Sequence, residues 1–436
     1  MQLADRLKCT VGLRRSYLAF NAALGSLYEN DLLELADASG SSRSALLLAK
    51  NPDFDDNAFF DAAGMVYNAG GFSASQLSTP QARQLIAETY KQLNTAIASG
   101  IPHETPETVR YALENNAFIF SGFKAFHTLR EVGLSLLTDK GHIKPFEQFR
   151  RDVEAVNNRY NHNYLYAEYH HAVGASLMAA RWQQIQKDGD RYDLQYRTAQ
   201  DDRVREDHAV LHGTTLPPSD PFWSLYFPPN GWRCRCNAVQ VRKGKYPPSD
   251  PHLAMLRGNN CTEAAKQQIF RFNPGKSLTL FPPKHPYYKA PDDAKQVIDD
   301  LQSEQEREYI ARRRREIRQA AADEVNRPLT NTGFDQPATL SKKSVKEFLN
   351  QPHKHYREKN ELLMDIKRVF NSARYLGINP AYDKKGLKHT HIFEIELCGE
   401  KSWLLVREYE DGRCYLYSCS DSPKIATGLI KGKDPE

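Results

Sequence analysis

From Thr79 onward apolar residues recur every three to four positions, at Leu85, Ile86, Tyr90, Leu93 and Ile97. With Pro80 near a first turn and Gly100 at the end, this spacing predicts an amphipathic helix over 79–100. A second run, Glu104 to Leu137, repeats the pattern through Val109, Leu113, Phe120, Phe126, Leu129 and Leu136. After Gly141 and Pro145 a third runs from Phe146 to Gln186. The middle third is therefore mostly long helices, and its many aromatics are read as packing between them.

The texture changes near Arg191. Residues 192–198 alternate like a strand, and Pro217, Pro218, Pro221, Pro228, Pro229, Pro247, Pro248 and Pro251 forbid long regular elements after it, leaving a compact, loop-rich module. Residues 304–318 interleave acids with arginines and predict a solvated connecting helix; a grip on phosphate is the alternative. Beyond Pro328 and the Asn331-Thr332-Gly333 turn signal, Ser344–Leu349 and Arg357–Phe370 read as helices. The period then changes to two: Thr390–Leu397, Trp403–Val406 and Cys414–Ser418 read as strands joined by Cys398–Lys401 and Asp411-Gly412. The expected fold is multidomain α+β. It comprises an unassigned region (1–78), a helical and then loop-rich module (79–290), a charged helical linker (291–335), and a small α+β domain with an antiparallel meander (336–436).

Composition adds limits. The 436 residues are 40% hydrophobic and 26% charged, which suits several globular domains. No stretch approaches 18 uncharged apolar residues, and Met1–Arg6 lacks a basic segment followed by an apolar one, so neither a membrane span nor a secretory signal is expected. The net charge is only +5, but 18 Lys+Arg against 14 Asp+Glu beyond residue 335 place four of those five charges there, tilting this end toward an anionic partner. Seven scattered cysteines, Cys9 among them, suit a reducing compartment better than a disulfide framework. Residues 1–78, including the Gly/Ser-rich Ala38–Ser42, suggest no function.

One series of rare residues is not explained by periodicity: Arg197-Thr198, Arg205-Glu206-Asp207-His208, Leu211-His212-Gly213, Asp220-Pro221-Phe222-Trp223 and Gly231-Trp232-Arg233-Cys234-Arg235-Cys236. It resembles the phage Mu protein F-like family of minor head (head morphogenesis) proteins. The likeness extends to Ser121–Lys124, Tyr164–Tyr169, Phe272–Lys276 and His285-Pro286-Tyr287, and so covers about 80–290. It implies a structural role in the virion, at the portal or capsid interior, with portal and capsid proteins as partners, no membrane, and no enzymatic mechanism. The residues agree: there is no His-Glu-x-x-His and no Gly-x-Ser-x-Gly, and Asn273–Ser277 ends in Gly-Lys-Ser but lacks the first glycine of a phosphate loop.

Cys234 and Cys236 can present two thiolates to one soft metal, and His208 and His212, at i and i+4, would share a helix face. These four would make a tetrahedral zinc site, with Cys261 as a substitute ligand. The alternative is a pair of buried thiols beside a hydrogen-bonded histidine that orders the loop.

Leu340–Glu347, His353 to His355, Lys359, Lys388–Thr390-His391 and Tyr417–Asp421 are similar to phage-associated members of the Barnase–EndoU–colicin–RelE nuclease superfamily, over about 336–425. That resemblance implies metal-independent RNA cleavage, with RNA or DNA as a further partner. Imidazole is suited to the acid and base roles and cations to the phosphorane charge. The candidates are His389 or His391 as acid or base, Lys388 and Arg407 as cations, and Ser418 as a hydrogen-bond donor to phosphate; His391 shares a face with Phe393, Ile395 and Leu397 and also reads as a core histidine. His353 and His355 read as helix caps. The rival reading is a wholly structural protein whose last domain binds nucleic acid or a capsid partner without catalysis.

Overall fold

The computed structural model describes residues 17, 19–24, 26–28, 51–264, 266–380, 386–427 and 429; Met1–Arg6, Cys9 and Ala38–Ser42 lie outside them. The chain divides into two compact units, 1–303 and 304–436.

The first unit is built on helices α1 (Asp56–Asn68), α2 (Pro80–Gly100), α3 (Glu107–Leu134), α4 (Phe146–Asn157) and α5 (Leu165–Asp188). Their starts are written in the sequence: Asp55 accepts from the Asn57 amide at α1, and Thr79 accepts from the Ala82 amide ahead of Pro80 at α2. Leu93 and Ile97 of α2, Leu113 and Phe120 of α3, and Val156 of α4 are buried in one core, which Phe281, Tyr287 and Ile298 re-enter from the far end of the unit. α2 lies so close to α5 that a Cβ on Gly100 would sit 2.3 Å from the Val173 carbonyl oxygen. The expected single helix over 146–186 is interrupted: Asn158–Tyr164 is a π-helical stretch. Its wider turn brings Tyr160, Asn161 and Tyr164 onto the buried side, a change that the local apolar pattern does not betray.

A small sheet comes next, ordered β2 (Thr215–Leu216), β1 (Tyr192–Arg197), β3 (Asn237–Arg242), all antiparallel. Leu194 and Tyr196 of β1 meet Phe222, Trp223 and Tyr226 in a second core. Only β1 was expected; β2 is two residues long, and β3 lies among loops. Two helices flank these loops and carry side chains of the candidate site: α6 (Glu206–Ala209), a single turn, and α7 (Pro251–Cys261), which Asp250 caps.

Helix α8 (Asp292–Ala322) runs through the division at 303/304, and Ile317 and Ala321 enter the core of the second unit. The expected linker over 291–335 is therefore this helix followed by strand β4 (Pro328–Asn331) and the start of β5 (Phe334–Thr339). The sheet of the second unit is ordered β4-β5-β9-β8-β7-β6, with β6 (Arg374–Pro380), β7 (Leu387–Leu397), β8 (Glu400–Tyr409) and β9 (Cys414–Ser420) forming the antiparallel meander. β5 joins β9 in parallel, so the sheet is mixed. The predicted helix over 357–370 is two, α10 (Tyr356–Glu361) and α11 (Ile366–Ser372), separated by a tighter turn; α9 (Lys342–Asn350) precedes them behind a Ser341 cap. No helix among the described residues is long and apolar enough to cross a membrane.

Candidate functional site

The rare-residue series converges. Arg205 is extended and α6 begins after it, so His208 turns inward and is buried. The loop Asn230–Cys236 passes over this turn, placing Cys234 Sγ and Cys236 Sγ each 3.5 Å from His208 Nδ1. Cys261, buried at the end of α7, joins Asp207 and His208 in a group whose candidate donor atoms all lie within 4.8 Å of one another. Arg205 holds the other side of the ring: Nη2 is 3.2 Å from His208 Nε2 and Nη1 donates to the Trp232 carbonyl at 3.4 Å. A Cβ on Gly231 would lie 2.5 Å from that Nη2, so the glycine admits the guanidinium. Arg235 grips Asp201 with both nitrogens, one at 2.7 Å, and Tyr196 donates to Asn230 Oδ1 at 2.9 Å.

The two thiols are electrostatically unlike. Burial pushes Cys234 up, but the hydrogen bond from Cys236 and the His208 and Arg205 charges outweigh it and hold this thiol well below its usual range. Cys236 is pushed up, first by its bond to Cys234, and burial raises Cys261 to about 12. His212 is not in the cluster. The α6 turn ends at Ala209, so the i, i+4 relation does not place the two rings on one face; His212 is exposed, and its Nδ1 lies 3.2 Å from the Thr198 amide and 3.0 Å from its hydroxyl. Cys261, the substitute ligand, groups with Asp207 and His208 but not with Cys234 and Cys236.

Beneath the loop lies a constellation whose chemistry the sequence pattern does not announce. Lys124 of α3 makes a short salt bridge to Glu168 of α5, with the two side chains 1% and 0% exposed. Tyr28 donates to the other Glu168 oxygen at 2.8 Å and lies 3.2 Å from His285 Nε2. His285 Nδ1 in turn accepts from the Tyr287 amide at 3.2 Å, and His127 Nε2 donates to the Tyr287 carbonyl at 3.0 Å. Burial pushes Lys124 down and Glu168 up, each partly offset by the other. Three separate stretches, around 121–124, 164–169 and 285–287, thus meet at one buried ion pair. Trp232 connects this network to the thiol loop, stacking on Tyr28 at 4.9 Å and meeting His171 at 5.0 Å. The sequence signal was slight: a lysine in the apolar run Phe118–Phe126.

In the second unit the expected residues fall on two faces of the sheet. His389 pairs with Glu408 and His391 with Val406, so the alternation of a strand puts both histidines and Glu408 on the face carrying the core residues Val406 and Leu416. Arg407, paired with Thr390, and Ser418, paired with Leu405 across a bulge, lie on the opposite face, where the Arg407 guanidinium carbon sits 3.2 Å from the centre of the Tyr417 ring. The five candidate catalytic residues do not form one site. His391 is 4% exposed and engaged at both nitrogens: Nε2 donates to Glu408 at 2.9 Å and Nδ1 accepts from Tyr375 at 3.0 Å. Lys388 bonds the other Glu408 oxygen at 2.8 Å. Burial lowers His391 with Glu408 partly offsetting it; burial also pushes Glu408 up, but Lys388 and His391 outweigh it and hold it down. His353 turns the chain into α10 by accepting the His355 amide at 2.9 Å, whereas the His355 side chain makes no cap bond and pairs with Glu400 at 3.1 Å.

Known proteins are similar to part of this sequence. Residues 144–239 match the family model described as Phage Mu protein F like protein. This Mu F-like segment contains His208, Cys234 and Cys236; Lys124, Cys261 and His285 lie outside it. The chain is 42% identical over 59 residues to putative capsid assembly protein F of Escherichia phage Mu, 13% of each chain. It is 28% identical over 179 residues to the Mu-like prophage FluMu F protein of Haemophilus influenzae, 38% of this chain and 42% of the relative. The chain thus spans less than half the length of either curated relative. Residues 308–417 match the model described as Large polyvalent protein-associated domain 3, a description that names no activity. No solved structure matches.

Proposed function

We propose that this chain is a minor head protein of a phage or prophage, acting in capsid assembly alongside portal and capsid proteins in the virion. The observation that carries this reading is the Mu F-like match over 144–239, with the similarity to two relatives whose names are those of Mu F proteins beside it. The site's arrangement supports it: a thiol–imidazole cluster and a buried ion pair brace loops against a helical core. A stop codon in this gene should leave the phage or prophage with defective heads, restored by the gene supplied in trans. Normal heads and titre without it would overturn the proposal.

For the second unit we favour a binding module, for nucleic acid or a capsid partner, over a ribonuclease. With Arg407 and Ser418 turned away and both His391 nitrogens engaged, His389 and Lys388 remain at the strand mouth, without a second free acid or base among the described candidates. RNA incubated with the full chain, with and without EDTA, should stay intact. EDTA-resistant cleavage that disappears in a His389→Ala/His391→Ala double variant would restore the nuclease reading.

A further inference from the structure

We propose that His208, Cys234 and Cys236 hold one zinc ion, with Cys261, which lies beside His208 but not in one group with the two thiols, drawn in as the fourth ligand on loading. The spacing of the three inner donor atoms fits such a centre. With Zn–S of about 2.3 Å and Zn–N of about 2.0–2.1 Å, tetrahedral angles set each S···N edge at about 3.5 Å. Both edges from His208 Nδ1, to Cys234 Sγ and to Cys236 Sγ, are 3.5 Å. The two equal approaches place the imidazole nitrogen where one ion could bind both sulfurs. His208 and Cys234 are buried, and the four donors come from three separate stretches of chain.

The charge balances. Two thiolates, a neutral imidazole and Zn²⁺ sum to zero; a third thiolate from Cys261 makes the site −1, and the Arg205 guanidinium lies against it. Metal on Nδ1 leaves the proton on Nε2, so on loading the Arg205 Nη2 must leave Nε2 and turn to the sulfurs. A region of short strands, one-turn helices and prolines has little regular structure of its own, and a closed structural zinc would supply the folding free energy that such a loop-rich module lacks. Through Trp232 the bound loop would also fix the roof of the Lys124–Glu168 network.

The test uses the full-length chain, purified without chelator from zinc-supplemented medium and analysed for metal. About one zinc per chain is expected, retained in His212→Ala and lost in Cys234→Ser and His208→Ala. Should those variants fail to fold, the wild-type chain stripped of metal and titrated with cobalt should develop a thiolate-to-cobalt charge-transfer band together with tetrahedral visible bands. A folded wild-type chain that holds less than about a tenth of an equivalent of metal and shows no such band overturns the proposal, leaving a proton between the imidazole and the thiols. So does zinc retained in folded Cys234→Ser.

Discussion

Lys124→Met removes one partner of a fully buried ion pair while keeping most of the side chain's volume. Glu168 then stays at 0% exposure with its cation gone and the hydrogen bond from the Tyr28 hydroxyl in place. Orphaning a buried charge in this way costs about 3–5 kcal/mol. With an unfolding entropy of about 2.1 cal/mol/K per residue, a unit of roughly 300 residues loses about 1.6 °C in Tm per kcal/mol, so the helical unit should melt about 5–8 °C lower. The double variant Lys124→Met/Glu168→Leu removes both charges and leaves Tyr28 and His285 to re-pair. It should recover most of the loss, because replacing a buried pair with apolar groups is often neutral or better. Urea unfolding followed by circular dichroism, run on the parent, the two singles and the double, measures the coupling. A single variant within about 1 kcal/mol of the parent, or a double variant as unstable as the sum of its singles, would refute the claim that these charges depend on each other.

Acid should loosen the same core. Burial lowers His127 and His171 to about 4, each partly offset by a carbonyl that accepts from Nε2. The unfolded chain protonates both near pH 6.5 while the folded one does not until about 4, so stability present above 6.5 is lost as pH falls between these values, by about 1.4 kcal/mol per unit for each histidine. The non-titrating His127→Gln should flatten that fall in a pH series of melts; an unchanged slope would refute it. Gly100→Ala, which would drive a Cβ against the Val173 carbonyl, should cost more than about 2 kcal/mol in the same assay, and a neutral effect would show that α2 and α5 can separate. Asp201→Asn should lower stability by about 1 kcal/mol, because the partly buried Arg235 loses the charge it grips with two nitrogens; no change in Tm would show that pair to be incidental.

How much of the structure was legible in the sequence depends on how local each signal is. The long helices were readable because their 3.6-residue period and their caps sit within one stretch. The π-helical turn at Asn158–Tyr164 was not, since widening one turn leaves the local apolar pattern intact. β4, β5 and β6 escaped because β4 and β6 are edge strands, each of the three carries a proline, and β4 and β5 bury few side chains. At the site, Cys234, Cys236, His208 and the substitute Cys261 could be read from residue type. His212 was misplaced because its i, i+4 relation assumed a helix that stops at Ala209. Lys124 and Glu168, separated by 44 positions, gave no pairwise signal at all. On the second sheet the shared face of His389 and His391 was readable from parity, but the bulge between Leu405 and Val406, which sets how Ser418 aligns, was not.

A role for this chain in the phage head is tested most directly by mass spectrometry of purified particles from the phage or induced prophage that encodes it. Peptides from both units are expected in DNA-filled heads or their precursors, at a small number of copies relative to the major capsid protein. Particles with normal heads and no trace of the chain, from cells in which it is abundantly made, would contradict that role.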